Sequence, residues 1–180
     1  MGSTSSTKDI LAYIRAAYIF DGSDAEETTR VKNLIDEIIG TDYVGEPEEI
    51  GEAVESTDGL DSAALYLDNS PAFIFFPELD ENGEPIYSLQ KYSFAIGNTT
   101  LITEESVVNG KECILVYTYA YAISENVTYS IEGTEIEGEY NLAAYLAFAE
   151  GEGDAELVAL VKALWRYSDS AKAYRAEVIG

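Results

Sequence analysis

Apolar residues change period twice along this chain. Between residues 8 and 20, Ile10, Ile14, Ala17 and Tyr18 recur at helical spacing, which predicts an amphipathic helix broken by Asp21-Gly22. Val31, Leu34, Ile35, Ile38 and Ile39 then repeat the i, i+3, i+4, i+7, i+8 stripe of a second buried face. Ser23, with Glu26 three residues on, reads as a capping box at its start, and Gly40 as its stop. Residues 46–55 fit a short acidic helix with Pro47 in its first turn, followed by a loop over 56–59. From Leu60 the period becomes two: Ala63, Leu65 and Leu67 alternate with Ala64, Tyr66 and Asp68. Asn69-Ser70-Pro71 turns the chain, and the apolar run from Ala72 to Phe76 reads as a strand buried on both faces. Asp80-Glu81-Asn82-Gly83 is a hairpin turn, because Asn and Gly accept positive φ. Strands follow near 85–96, 99–104, 112–122 and 126–132, separated by Gly97-Asn98, Asn109-Gly110 and Ser124-Glu125-Asn126. Short strands at this spacing point to an antiparallel sandwich or meander. Helical spacing returns over 139–149 and again from Asp154 to Tyr174, where Leu157, Leu160, Val161, Leu164 and Ala171 form the inner stripe.

The two helical ends share a motif. Asp24-Ala25-Glu26, Val31-Lys32 and Leu34 recur at identical spacing as Asp154-Ala155-Glu156, Val161-Lys162 and Leu164. Upstream, Ile10 and Ala12-Tyr13-Ile14 match Leu142 and Ala144-Tyr145-Leu146. A helix-loop-helix unit used twice suits a modular scaffold better than an enzyme. The expected fold is α+β: an antiparallel sheet or sandwich of about six or seven strands, flanked by N- and C-terminal helical hairpins that resemble each other. Met1–Ser6 reads as a leader, 7–58 as the first helical unit, 60–137 as the β-rich core and 138–180 as the second helical unit, gathered into one globule.

Composition narrows the function. The 34 acidic residues outnumber 10 basic ones, for a net charge of −24. Such a surface repels phosphate backbones and anionic headgroups, so neither nucleic acid nor a membrane surface is an expected partner. No apolar run approaches the ~20 residues that cross a bilayer, so membrane insertion of this segment is not expected. A hydrophobic fraction of 47% suits a folded domain. The single cysteine, Cys113, excludes an intrachain disulfide and sits in an apolar stretch as a small core residue. No signal-peptide pattern occurs, and the leader leaves a native targeting segment open.

Histidine is absent, which closes the Ser-His and Cys-His routes of nucleophilic catalysis and histidine-based zinc sites. No P-loop, dinucleotide fingerprint or Gly-x-Ser-x-Gly elbow occurs. A carboxylate pair for glycan hydrolysis stays open, but the expectation is no enzyme and no cofactor. Calcium is the one ion left open. The oxygen-rich loop Asp80–Glu84 lacks the ligand alternation of a calcium-binding loop, and Glu46, Glu48, Glu49 and Glu52 read as a solvated face. The candidate ligand-binding residues are Tyr117, Tyr119 and Tyr121. On a strand these three share one face, and a row of aromatic rings stacks on sugars or anchors a protein. Packing under a helix is the competing reading for that row. Trp165, Tyr167 and Tyr174 read as packing residues. Asn98-Thr99-Thr100 and Asn126-Val127-Thr128 fit the glycosylation acceptor pattern, which chance also supplies in such a composition.

From about Leu60 to Arg175 the chain resembles a module recurring in large secreted or cell-surface proteins of Gram-positive gut anaerobes. The residues that carry the resemblance are Ser62-Ala63-Ala64-Leu65-Tyr66-Leu67, Ser70-Pro71-Ala72-Phe73, Val127-Thr128-Tyr129-Ser130-Ile131, and Leu157 to Leu164 with Tyr167, Ala171 and Tyr174. In that group the last helix often ends Tyr-Gly, two residues, Ala-Gln, one residue, Tyr-Phe; here Ser168, Lys172 and Arg175 replace the Gly, the Gln and the Phe. The resemblance implies extracellular display and a non-catalytic, adhesin-like role, with a protein or glycan at the cell surface as partner. It transfers no site residues. If the stripes carrying Val31, Leu34, Ile35, Val161 and Leu164 meet in one core, Leu164→Ala costs ~2–5 kcal/mol. Urea denaturation reads this cost, and a smaller one with unchanged spectra would make the last helix peripheral.

Overall fold

The computed structural model describes residues 2–66 and 71–179. The fold is α+β, with four helices and two antiparallel sheets of four strands each among the described residues. The chain divides into two units: residues 1–51 with 146–180, and residues 52–145. The expected turn at Asn69-Ser70 and the end of the first strand at Leu67 lie outside the described residues.

The second unit holds every strand. One sheet has the order β1-β2-β6-β5 (β1 Leu60–Tyr66, β2 Ala72–Pro77, β5 Ile102–Val108, β6 Lys111–Tyr117). The other has the order β4-β3-β7-β8 (β3 Tyr92–Ile96, β4 Thr99–Thr100, β7 Val127–Ile131, β8 Glu137–Tyr140). Strand alternation sends Phe73 and Phe75 of β2 to one face, beside Val116 and Ile114 of β6. That face meets Phe94, Tyr129 and Tyr140 of the second sheet. Phe75 lies 4.6 Å from Phe94, and Tyr140 stands edge-on to Phe73 at 5.6 Å and Phe75 at 5.8 Å. Each such pair adds ~0.5–1.5 kcal/mol beyond area burial, so this aromatic seam makes the two sheets a sandwich. The opposite face of β2 and β6 is apolar too: Ile74, Cys113 and Leu115 form a cluster with Ala64, Tyr66, Phe76 and Tyr117 around it. The run Ala72–Phe76 is therefore buried on both faces, as its unbroken hydrophobicity predicts.

Turns follow the sequence signals, and Asn109 (φ 53°) with Gly110 (φ 78°) makes the two-residue link between β5 and β6. Several strands differ from expectation. Residues 85–91 are not strand: Asp80 closes a local loop by accepting from Asn82 N (2.8 Å) and Glu84 N (3.1 Å), and a 3-10 turn at Leu89–Lys91 precedes β3. The expected 99–104 strand divides after Thr100, and its second part runs on to Val108. β8, with its glutamates and glycine, gave no apolar signal. It forms because Gly138 leaves room for the Tyr129 ring: a Cβ there would stand 2.5 Å from the ring and 2.6 Å from Ser56 Cβ.

No helix occurs at 46–55. The segment carries Gly45 (φ 75°), Pro47 and Gly51, and its last residues are held extended. Buried Asn141 does the holding, with Nδ2 donating to Glu52 O (2.8 Å) and Oδ1 accepting from Val54 N (3.0 Å). The same Oδ1 accepts from Ala144 N (3.0 Å), capping α3 (Leu142–Glu152). The chain returns to the first unit within α3.

The first unit packs α1 (Gly2–Asp21) between α2 (Ala25–Ile39) and α4 (Ala155–Ile179). The repeated motif is a pair of equivalent N-caps. Asp24 accepts from Glu27 N (3.0 Å) and Asp154 from Leu157 N (3.1 Å), so the cap of α2 is Asp24 and not the expected Ser23. Burial differs between the copies. Val161 and Leu164 are fully buried, whereas Leu34 and Ile38 are exposed and only Ile35 and Ile39 of α2 are core. Leu34 and Ile38 stay in water because α2 packs chiefly on α1. α1 and α4 run antiparallel: Asp9, near the start of α1, meets Ser170 well along α4, Tyr13 stacks on Tyr167 at 6.1 Å, and Ala16 and Ile19 line a cleft with Ala155 and Ala159 at the start of α4.

The hydroxyls of the seam tyrosines reach loop carbonyls: Tyr92 to Gly59 O (2.5 Å) and Tyr129 to Asp58 O (2.6 Å). Burial first, with nearby negative charge second, pushes both phenols up to about 12. A raised folded-state value favours the protonated form, so this stability is complete below the unfolded value near 10 and is lost as pH rises towards 12. Alkaline titration followed by phenolate absorbance and near-ultraviolet dichroism is expected to show these two ionising together with loss of the seam. Ionisation at the ordinary tyrosine pH with intact dichroism would contradict it.

Candidate functional site

The three tyrosines are placed differently from a row. β6 ends at Tyr117, and the chain turns into a 3-10 segment at Ala120–Ala122. Tyr117 is half-buried and donates to Glu104 of β5 at 2.7 Å. Tyr119 and Tyr121 lie beyond the strand and stack on each other, 5.3 Å apart and within 3° of parallel. Side chains two apart on a strand stand side by side, whereas this turn folds one ring onto the other. Tyr119 is 55% exposed and Tyr121 half-buried. The structure thus joins Tyr119 with Tyr121 and links Tyr117 to β5. Between them the Thr118 hydroxyl is buried with no hydrogen-bond partner among the described residues. Ile114 and Val116 are core, as strand alternation requires, while Ala120 sits on the 3-10 turn.

Two further surfaces belong to the sheet-bearing unit. The first is the edge strand β5. Among the described residues its one strand partner is β6, through seven unbroken residue pairs from Ile102↔Tyr117 to Val108↔Lys111. Ile102 (71%) and Val107 (63%) are exposed, as are Glu104 and Glu105. The second is the outer face of the β4-β3-β7-β8 sheet, a shallow groove of about 620 Å³. Ser93 faces Ser130 across the sheet, Glu137 follows, and Thr100, Thr128 and Glu139 complete the array. Its described lining offers hydroxyls and two carboxylates and no cationic side chain.

The titratable groups with the most elaborate surroundings lie in the first unit. Among the described side chains of α1 the buried ones are Asp9, Ala12 and Arg15, a stripe that is largely charged. Asp9 accepts from Arg166 Nε (3.2 Å), from the Tyr43 hydroxyl and from Ser170. Arg15 donates to Asp36 (2.8 Å), Gly40 O (3.0 Å) and Tyr43 O. Burial, then the Asp9 hydrogen bond, raises the Tyr43 phenol, and the Lys32 ammonium beside Asp36 leads the lowering of that carboxyl. Every member is spent on a neighbour, so the cluster ties α1, α2, α4 and the 40–43 segment together. Glu46 and Glu48, expected on a solvated helix face, lie on extended chain within 3.8 Å of Lys162 and Arg166. Trp165 is buried and Tyr167 is stacked; Tyr174 is exposed.

Among the described residues, no three His, Cys, Asp or Glu side chains converge as metal ligands. The Asp80 carboxylate is occupied by its own loop's backbone. Of the two glycosylation patterns, Asn126 spends its side-chain oxygen on Asn141 Nδ2 (2.9 Å). No described helix is long and apolar enough to cross a membrane. Comparison with family models, curated proteins and solved structures gave no match.

Removing the buried anion tests the structural reading of the first unit. Asp9→Ala leaves Arg166, Tyr43 and Ser170 without their acceptor and is expected to cost ~1.5–3 kcal/mol, discounted for the partly exposed guanidinium. Thermal and urea denaturation measure it; an unchanged midpoint would remove Asp9 from the core.

Proposed function

We propose that this chain is a non-catalytic interaction module, displayed outside the cell as part of a bacterial surface protein. The observation that carries this reading is the parallel Tyr119–Tyr121 stack beyond the end of β6, with Tyr119 exposed and Tyr121 half-buried. Tyrosine presents a large, amphipathic contact area at low entropic cost and is enriched where partners bind most tightly. A rigid sandwich behind it keeps the pair preorganised. Ile102, paired to Tyr117 two residues before the stack, extends the apolar surface onto β5. Extracellular display and the adhesin-like role rest on the resemblance of residues 60–175 to surface-protein modules. The reading takes a protein, such as a host glycoprotein, as partner.

A second reading is a carbohydrate-binding module. Tyr119 has its outer face available, and an aromatic face stacks on a sugar ring. The carboxylate-pair hydrolase draws no support beyond Glu137 and Glu139, which sit on one strand, two residues apart, and not across a cleft.

Labelled protein on an array of plant polysaccharides, mucins and immunoglobulins, with and without calcium, separates the readings. A glycoprotein signal that survives deglycosylation and weakens ~30-fold in Tyr119→Ala is expected. A polysaccharide signal lost in the same variant would put the sugar reading first. Turnover of any glycan would overturn both.

A further inference from the structure

We propose that β5 is an acceptor edge for an extended, basic segment of a partner protein, which adds to the sheet as a further strand beside Ile102–Val108. This rests on the interaction-module reading and names where, and to what chemistry, that module binds.

An open sheet edge invites pairing with any chain, and folded proteins blunt it. Three of the four edges here are blunted. Along β8, Ser56 N donates to Glu139 O (2.8 Å), Glu139 N donates to Ser56 Oγ (3.0 Å), and Glu55 bridges Tyr140. β4 is two residues long. β1 shifts register between Leu60 and Ser62. β5 has none of these devices. It is seven residues long, keeps an unbroken register, contains no proline, and leaves Ile102 and Val107 in water. Among the described residues no backbone bond to β5 comes from any strand but β6.

Its one protective feature is chemical. Glu104 and Glu105 are adjacent, so they project to opposite faces at mid-strand. Tyr117 donates to Glu104 at 2.7 Å, and Gln90 Nε2 donates to Glu105 at 3.2 and 3.3 Å. Both donors are neutral, so they orient the carboxylates and leave the charge in place; neither glutamate is in an ion pair among the described residues. The surroundings deepen the field. Residues 52–145 carry 17 acidic side chains against two basic ones, Lys91 and Lys111. A second copy of this chain would set glutamate against glutamate at the same edge, and like charges across strands are destabilising. The device that blocks self-pairing selects a cationic strand, with Lys or Arg beside Glu104 and Glu105 and β-branched residues beside Ile102 and Val107. Main-chain bonds would supply affinity and these side chains the choice of partner, the usual division in strand addition.

The probe is a short labelled peptide with Lys-Lys at its centre and Val and Thr on either side, bound to the full chain and followed by fluorescence anisotropy and amide hydrogen exchange. Expected are saturable binding, slowed exchange within 102–108, and at least tenfold weakening both in high salt and in Glu104→Lys/Glu105→Lys. The same peptide with Glu-Glu at its centre is expected not to bind. The exposed double variant should keep the wild-type dichroism. Equal binding by that variant, protection mapping away from β5, or self-association of the unliganded chain through 102–108 would overturn the proposal. If the peptide fails while the array signal persists and still needs Tyr119, strand addition is wrong and the interaction-module reading stands. If both are silent, that reading falls as well.

Discussion

Contact between Phe75 and Phe94, 4.6 Å apart, is the point on which the sandwich depends. Phe75 also lies 6.4 Å from Tyr129, and both sheets orient their strands around this seam. The seam is not purely apolar. Its tyrosines send hydroxyls outward to backbone carbonyls of residues 58, 59 and 63, so the same rings that join the sheets also hold the connection entering β1. Burial that raises these phenols and the hydrogen bonds that satisfy them have one origin. With that end fixed, β6 leaves the seam in a defined direction, and the turn after Tyr117 presents the stacked tyrosines from a firm base.

The first unit is held in another way. Its central helix buries an aspartate and an arginine at the positions where an apolar stripe would stand. Alanines on α1 and α4 line a shared cleft, Ala12 and Ala16 from one helix and Ala155 and Ala159 from the other, and the buried Asp9 and Arg15 bond to partners on α4, α2 and the 40–43 segment. Eight of the ten basic residues belong to this unit, which leaves the sheet-bearing unit strongly and almost uniformly negative. The two units therefore differ in what lies at their centres: paired charges in one, aromatic rings in the other.

Much of this was readable from residue order. The α+β class, the turns at Gly97-Asn98 and Asn109-Gly110 and the doubly buried strand at 72–76 all follow from local chemistry. What escaped depended on contacts distant in sequence. β8 is legible only once Tyr129 is known to lie over Gly138. The 46–55 segment has acidic, helix-compatible composition, yet Asn141, some ninety residues on, grips its backbone. Asp9 and Arg15 carry no local mark of burial, because their partners at 36, 43, 166 and 170 are distant in sequence. Tyr117, Tyr119 and Tyr121 were visible as chemistry but misread as geometry, because period two persists in the sequence beyond the residue where the strand stops. An open edge such as β5 has no motif; it is defined by what fails to lie beside it.

The antiparallel run of α1 against α4 has a mechanical consequence. The first turns of α1 and the late turns of α4 lie at the same end of the helix pair. Tension applied through the two ends of the chain would therefore peel these helices apart one turn at a time, and would not shear them along their length. Asp9 with Arg166 and Ser170 stands near that starting point, as the first latch the force would meet. The strands, inserted between the two helices in sequence, would feel no pull until the pair had opened.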